Sequence, residues 1–488
     1  MTQNNRNLND EMMSGYHSEK GENLKNQMSR VIILICIALV GGCFHLSAVF
    51  AQFDENAISK ITDDLMSDAY NKHLFSGVVA ISHNDKLIYL NEIGFSNWET
   101  KTVVTKNTLF NIGSINKKIT EEMIRQLVDE KKLFYEDRLD KYLDLYSDEM
   151  AKKITICQLL DMRAGLGDFL QNPFYRQDLS LRDFTLSELM ELIKNEPLLY
   201  EPGTREQYSN SGYVVLGAVI EKITEKSYEE NLKERIIDPL GLTNVFYTRA
   251  DILKQTDQAF PTDVDFEGNK MNVQEVIANS TPAGGMYMDA GNLLKFAEML
   301  LRNPVPAASQ RPGMPPMFAG GSPGWSSVIF YNSKDGYAIA VLSNIGDNSA
   351  VEIARRLNSA IHNAPYPPFS LPVAMMLYPL IQEKGYTYIK ENFKEITASQ
   401  RIPDNDIFLI HAAGIFTRIN QIEIAINLYK INIELFPGSV FTYDALSQAY
   451  LRKGEKNEAL LCLKKVLDFE PDNQRIRKLI EDLENEKM

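Results

Sequence analysis

Ser114 and Lys117 lie three residues apart in Asn111-Ile-Gly-Ser114-Ile-Asn-Lys117, and Ile115, Ile119, Met123, Leu127 and Val128 recur behind them at helical spacing. That spacing predicts a helix with Ser114 at or just inside its N-terminus and Lys117 one turn later on the same face. Burial and the positive end of a helix dipole both favour a neutral lysine amine. Such an amine can take the proton of a serine hydroxyl and so make a nucleophile without histidine. A Ser-x-x-Lys spacing alone is weak, because a serine at a helix start is usually a cap. A second group is Tyr208 and Asn210, in Glu201-Pro-Gly-Thr-Arg-Glu-Gln-Tyr208-Ser-Asn210. After a turn at Pro202-Gly203, an extended backbone projects both side chains to one side. A phenol beside a lysine ammonium ionises more easily and can serve as acid or base, and Asn210 could orient a substrate carbonyl or hold the lysine. Standing alone, the pair would read as a core tyrosine and a turn asparagine.

The rest of the chain narrows the chemistry. Six histidines occur, at 17, 45, 73, 83, 362 and 411, so hydrolysis within residues 84–361 has to find a base other than imidazole. The four cysteines are Cys36 and Cys43, in an apolar leader, and the distant Cys157 and Cys462, which form neither a disulfide framework nor a zinc site. Carboxylates could still hold a hard cation, but no metal or organic cofactor is implied. The net charge of −14 and the lack of any basic run argue against a nucleic-acid partner. A chain of 488 residues, 44% hydrophobic, has room for two or three domains of roughly 150 residues each.

The elements that must position these residues are predicted as follows. Residues 1–51 form a leader, with Met28 as a candidate true start. Met28-Ser-Arg30 precedes an apolar run, Val31–Phe50, and Ala48-Val-Phe-Ala51 supplies a cleavage site, the layout of a signal peptide. Export to the periplasm or the medium is expected. The alternative is membrane anchoring, through an uncleaved leader or a lipidated Cys43 in Val40-Gly-Gly-Cys43. Residues 52–361 read as α+β. One hairpin spans 76–92 and another runs from Trp325 to Leu342 with a turn at Asn332–Gly336. The simplest fold joins them in one antiparallel sheet with a helical insert between. Pro365, Pro367, Pro368 and Pro372 mark a linker over 362–372. Beyond it, residues 373–488 read as an all-α domain. Leu409, Ala412, Ala413, Phe416, Ala425, Tyr429 and Pro437 match Tyr443, Leu446, Ser447, Tyr450, Ala459, Leu463 and Pro471 at an offset of 34 residues, the period of a tetratricopeptide repeat. Two repeats, 406–439 and 440–473, a capping helix over 474–486 and a degenerate helix pair over 373–396 are expected.

In this order, Phe75-Ser-Gly-Val-Val79, Thr108-Leu-Phe-Asn-Ile-Gly-Ser114, the Tyr208 segment, Pro239-Leu-Gly-Leu242, Pro282-Ala-Gly-Gly285, Gly320-Gly-Ser-Pro-Gly-Trp-Ser-Ser327 and Val341-Leu-Ser-Asn344 resemble the penicillin-binding-protein-like serine hydrolases. That group includes class C β-lactamases, D-Ala-D-Ala carboxypeptidases and related esterases. The resemblance implies Ser114 as acyl-accepting nucleophile, Lys117 as its base, and Tyr208 and Asn210 as the Tyr-x-Asn element. It also implies the backbone N–H groups of Ser114 and Gly321 as an oxyanion hole. Three features depart from the family. Phe318-Ala319-Gly320 stands where a Lys or His, a Thr or Ser, and a Gly are usual, so the third motif is degenerate. The proline-rich stretch 303–317 is short for the strand and approaches the family places there. Met162-Arg-Ala-Gly-Leu166 replaces His-Thr-Ser-Gly-Leu and loses a helix-start hydroxyl. Gly320-Gly-Ser322-Pro-Gly324 also fits the pattern G-x-S-x-G, but that motif needs a strand before and a helix after. Here proline-rich coil is expected before it and a strand after.

The resulting expectation is an exported serine hydrolase that forms an acyl-enzyme on a small-molecule or peptide ester or amide. With Phe318 and Ala319 in the third motif, neutral esters should be preferred to carboxylate-bearing substrates. The alternative is a catalytically silent protein that binds cell-wall or peptide ligands. In either case the repeats are candidates to recruit a protein partner.

Overall fold

The computed structural model describes residues 55–143, 151–171, 175, 183–273, 279–303, 317–322, 324–346, 349–399, 405–471 and 473–485. The expectations for the leader, and for nearly all of 303–317, lie outside the described residues.

Five strands form one antiparallel sheet: β1 (Gly77–His83), β2 (Lys86–Ile93), β3 (Met317–Ser322), β4 (Trp325–Asn332) and β5 (Tyr337–Ser343), in the order β3-β4-β5-β1-β2. The β1–β2 turn is tight because Asn84 and Asp85 both take positive φ, at 48° and 62°. Both hairpins expected from the sequence therefore share a sheet, joined where β1 pairs with β5 from Gly77↔Ser343 to His83↔Tyr337. These two strands and β4 are apolar along almost their whole length because both faces are covered. Val78, Ala80, Ile329, Tyr331, Ala340 and Leu342 join the core that surrounds the candidate site. The alternate residues face the other side, where Tyr337 donates to Asn358 Oδ1 at 2.8 Å.

One expectation is corrected here. Residues 317–322 are not coil but the edge strand β3, paired with β4 from Met317↔Phe330 to Ser322↔Trp325. The prolines end at Pro316, and an edge strand needs ladder partners on one side only. Ser322 thus ends β3, and the next element is the strand β4 rather than a helix, so the G-x-S-x-G match has no structural support.

Between the hairpins run α1 (Asn116–Asp129), α2 (Asn210–Thr224) and α3 (Ala290–Arg302), and α4 (Ser349–Ile361) follows the sheet. Ser209 caps α2, its side chain accepting from Gly212 N, and Asp289 caps α3 through Asn292 N. After α4 the chain is non-helical to Pro372. Arg356 holds this crossing: it donates to the carbonyls of Pro367 and Pro368 at 3.0 and 3.1 Å and stacks on the Phe369 ring.

The remaining chain is helical: α5 (Val373–Glu391), bent at Gly385, then α6 (Ile407–Arg418), α7 (Ile422–Leu435), α8 (Val440–Lys453), α9 (Lys456–Phe469) and α10 (Gln474–Asn485), with a short helix, Phe393–Ser399, after α5. Leu409, Ala412, Ala413, Phe416, Ala425 and Tyr429 are buried, as are Leu446, Ser447, Tyr450, Ala459 and Leu463. Pro437 and Pro471 each follow the end of a helix, α7 and α9 respectively, where a missing N–H does no harm. This helical part rests on a hairpin of the α+β part, Thr262–Val264 with Lys270–Asn272. Arg418 Nε reaches both oxygens of Asp263, at 3.0 and 3.3 Å, and Phe266 stacks on Tyr378 with ring centroids 3.8 Å apart.

Candidate active site

Ser114 sits in a 3₁₀ turn, Gly113–Ile115, that leads directly into α1. The turn is held from three sides. Gly113 N donates to Asn111 Oδ1 at 2.8 Å, Ile112 N to Met286 O at 2.9 Å, and Ser327 Oγ to Ile112 O at 2.8 Å. Ile112 and Ile115 are fully buried beneath it.

Lys117 follows one turn later, and its Nζ lies 3.1 Å from Ser114 Oγ, as the spacing predicts. The side chain is only 5% exposed. Its Nζ also donates to Ala283 O at 2.6 Å and Asn210 Oδ1 at 2.7 Å, and lies 4.9 Å from the Tyr208 ring centre. Burial brings its pKa down to about 7, against the opposing field of the Asp168 carboxylate. A large fraction of Lys117 is therefore neutral at physiological pH.

Tyr208 OH is 2.6 Å from Ser114 Oγ on the other side. The sequence suggested a phenol made more acidic by a neighbouring ammonium; desolvation acts in the opposite direction. Lys117 Nζ lies over the ring, and partial burial pushes the phenol pKa up despite the Ser114 hydrogen bond. Tyr208 thus stays protonated near neutral pH. The extended backbone ends at Ser209, and Asn210 is the first residue of α2, which turns its amide inward to Lys117.

Gly320 and Gly321 bring β3 against the serine turn. A Cβ on Gly320 would overlap the carbonyl of Ile112 and stand 2.8 Å from Ser114 N, and one on Gly113 would stand 2.8 Å from Gly321 N. Only a backbone without side chains lets the amides of Ser114 and Gly321 come to the same small region. Ala319 is exposed beside them, whereas the Phe318 ring packs near Tyr331 and under Lys118 Nζ, 4.0 Å from its centre. Lys118 in turn is paired with Glu121 at 2.5 Å.

Met162–Leu166 serves as a brace. Met162 takes φ 57°, and its carbonyl accepts from Gln207 N at 2.9 Å, fixing the segment that carries Tyr208. The sequence reading missed Asp168, two residues beyond this segment, whose Oδ2 accepts from Asn210 Nδ2 at 2.7 Å. No spacing connects Asp168 to the other groups. The one available signal was a carboxylate soon after Gly165-Leu-Gly167 in a segment already singled out.

A serine, a depressed lysine and a protonated tyrosine in mutual contact, on a five-stranded antiparallel sheet with a helical insert, define a serine-hydrolase type of site. The chain belongs to the Beta-lactamase family, whose model matches residues 48–363. It is similar to teichoic acid D-alanine hydrolase of Staphylococcus aureus, with 26% identity over 317 residues that cover 60% of this chain and 76% of that protein. Among solved structures, the octameric penicillin-binding protein homologue from Pyrococcus abyssi superposes with a TM-score of 0.54 at 21% identity, covering 67% of this chain and 81% of that one. D-amino acid amidase from Ochrobactrum anthropi superposes with a TM-score of 0.52 at 22% identity, covering 63% and 98%. These two likenesses establish the fold.

Proposed function

We propose that the protein is a serine hydrolase that works through an acyl-enzyme on Ser114. The observation that carries this reading is the convergence on Ser114 Oγ of Lys117 Nζ at 3.1 Å and Tyr208 OH at 2.6 Å. Neutral Lys117 takes the Ser114 proton as Oγ attacks an ester or amide carbonyl. The backbone N–H groups of Ser114 and Gly321 receive the resulting oxyanion, a contribution worth several kcal/mol. As the tetrahedral species collapses, the proton held by the Lys117 ammonium passes to the leaving oxygen or nitrogen, with the Tyr208 hydroxyl as relay. Water then enters and gives a proton to neutral Lys117 as its oxygen attacks the acyl carbon; as the bond to Ser114 Oγ breaks, Oγ takes the proton back and the acid is released.

The acyl group is proposed to lack a free carboxylate, because Phe318 and Ala319 offer neither charge nor a side-chain donor. A D-alanyl ester is the first compound to try, given the relative named for D-alanine hydrolysis. We also propose export through the leader with cleavage near Ala51, a boundary between hydrolase and helical parts within 362–372, and tetratricopeptide-type repeats over 406–473 that hold a protein partner. A fluorophosphonate probe tests the central claim. Covalent labelling of wild type that is lost in Ser114→Ala supports it. A folded wild-type protein that takes no label would instead be a binding protein.

A further inference from the structure

We propose that Asp168 is a positioning residue for the Ser114–Lys117 pair. Its carboxylate fixes the Asn210 amide so that the carbonyl oxygen faces Lys117, and it places one negative charge on the lysine's hydrogen-bond network. This deepens the acyl-enzyme reading and rests on it.

The donor and acceptor inventory leaves a single arrangement. A lysine ammonium only donates and an ionised carboxylate only accepts. Asn210 lies between them, with Oδ1 2.7 Å from Lys117 Nζ and Nδ2 2.7 Å from Asp168 Oδ2. Turning that amide over would set its amino group against the ammonium and its oxygen against the carboxylate. Asp168 is itself held, because Leu170 N donates to Oδ1 at 3.1 Å. The neighbouring α2 turn is tied to the same loop by Ser209 Oγ, which donates to Gly167 O at 2.7 Å, and by Phe169 N, which donates to Ser211 Oγ at 2.9 Å.

Asp168 is also the carboxylate whose field reaches Lys117 across this network. The other groups around the lysine are Ser114 from the 3₁₀ turn, Tyr208 from the segment before α2, Tyr213 from α2 with its ring centre 5.7 Å away, and the Ala283 carbonyl. Both tyrosines stay neutral, since burial raises their pKa values. Glu121, on α1 itself, is paired with Lys118. Burial alone would lower the Lys117 pKa further, so Asp168 sets how far it falls.

The test compares Asp168→Asn, which keeps an acceptor for Asn210 but removes the charge, with Asp168→Ala, which removes both. The rate of labelling by a neutral fluorophosphonate is followed from pH 5 to 9 on the full chain. Loss of the negative charge makes the lysine easier to deprotonate, so the acid limb should move to lower pH by about one unit in both variants. The plateau should fall less than about tenfold in Asp168→Asn and further in Asp168→Ala, where Asn210 is free to turn. A merely structural role would lower both plateaus and leave the limb in place, which overturns the proposal. A readout independent of activity is the pH-dependent difference in unfolding free energy between Asp168→Asn and Asp168→Asn/Lys117→Met. Its rise should begin at lower pH than the corresponding rise for wild type against Lys117→Met, and an unchanged onset overturns the proposal. If wild type takes no label, the acyl-enzyme reading has failed, and this second measurement still decides the role of Asp168.

Discussion

Replacing Lys117 by methionine should change how stability depends on pH, in a direction the structure dictates. A lysine has an ordinary pKa of 10.5, and burial holds Lys117 at about 7. Below pH 7 the group is charged in both folded and unfolded chains, and the folded state bears the full cost of a buried ammonium. Between pH 7 and 10.5 the unfolded chain holds more protons than the folded one, so stability rises with pH. The slope approaches about 1.4 kcal/mol per pH unit, and the total is about 5 kcal/mol across the window. With the side chain 5% exposed, solvent screening removes little of this. Lys117→Met has no such titration, so wild-type stability minus variant stability should climb from pH 7 upward and be flat from pH 5 to 6. Both tryptophans, Trp98 and Trp325, are buried in the α+β part, so their fluorescence during urea unfolding at each pH reports on that part. Parallel curves for the two proteins from pH 6 to 10 would refute a depressed lysine in the site.

Other outcomes follow from particular contacts. Lys117→Ala should remain folded yet lose fluorophosphonate labelling, and a fully labelled variant would remove lysine from the mechanism. Gly320→Ala should reduce labelling by at least about 100-fold, because its Cβ overlaps the Ile112 carbonyl and disturbs the amide of Ser114; wild-type rates would show the close approach to be unimportant. Wild type should show a higher kcat/KM for a short-chain aryl ester than for a chromogenic cephalosporin. The missing charge-assisted hydrogen bond costs the cephalosporin about 1.5–3 kcal/mol, or roughly 10- to 150-fold, and the opposite order would overturn this account of the third motif. Phe318→Lys should not rescue the cephalosporin, because the new ammonium would replace the ring that Lys118 covers and meet a like charge; improved turnover with unchanged stability would contradict this. Limited proteolysis should cut within the exposed stretch 362–366 and release a helical fragment that separates more readily with Arg418→Ala, weakened by about 1–3 kcal/mol; uniform resistance would indicate one fused unit.

The legible part of the site was the part written in local geometry. Ser114 and Lys117 share one helical turn, so their contact follows from spacing alone, and Tyr208 and Asn210 are fixed by a short segment. The sheet was legible because its hairpins carry strong β patterns and a tight Asn84-Asp85 turn. Strand β3 was obscured by the prolines before it, although an edge position tolerates what a central strand does not. The phenol's shift follows first from how far folding takes Tyr208 out of water, and no sequence pattern encodes that. Asp168 meets Asn210, and Phe266 stacks on Tyr378, where a loop meets a helix distant in sequence, so neither contact has a period or a spacing to reveal it.

The pairing of β1 with β5 has a consequence in time. Gly77 cannot meet Ser343 until nearly the whole α+β segment has been synthesised, a wait of roughly 15–50 s at ordinary elongation rates. Until then β1, with Val78, Val79, Ala80 and Ile81 all destined for burial, has only its hairpin partner β2 beside it. The C-terminal helices are the opposite case, since α6 meets α7 and α8 meets α9 across short turns, and such local contacts form fast. The α+β part is thus the slow part, sticky and unfinished while its chain emerges. For the export proposed above, that delay would be useful, because a chain that cannot close its sheet stays thin enough to thread.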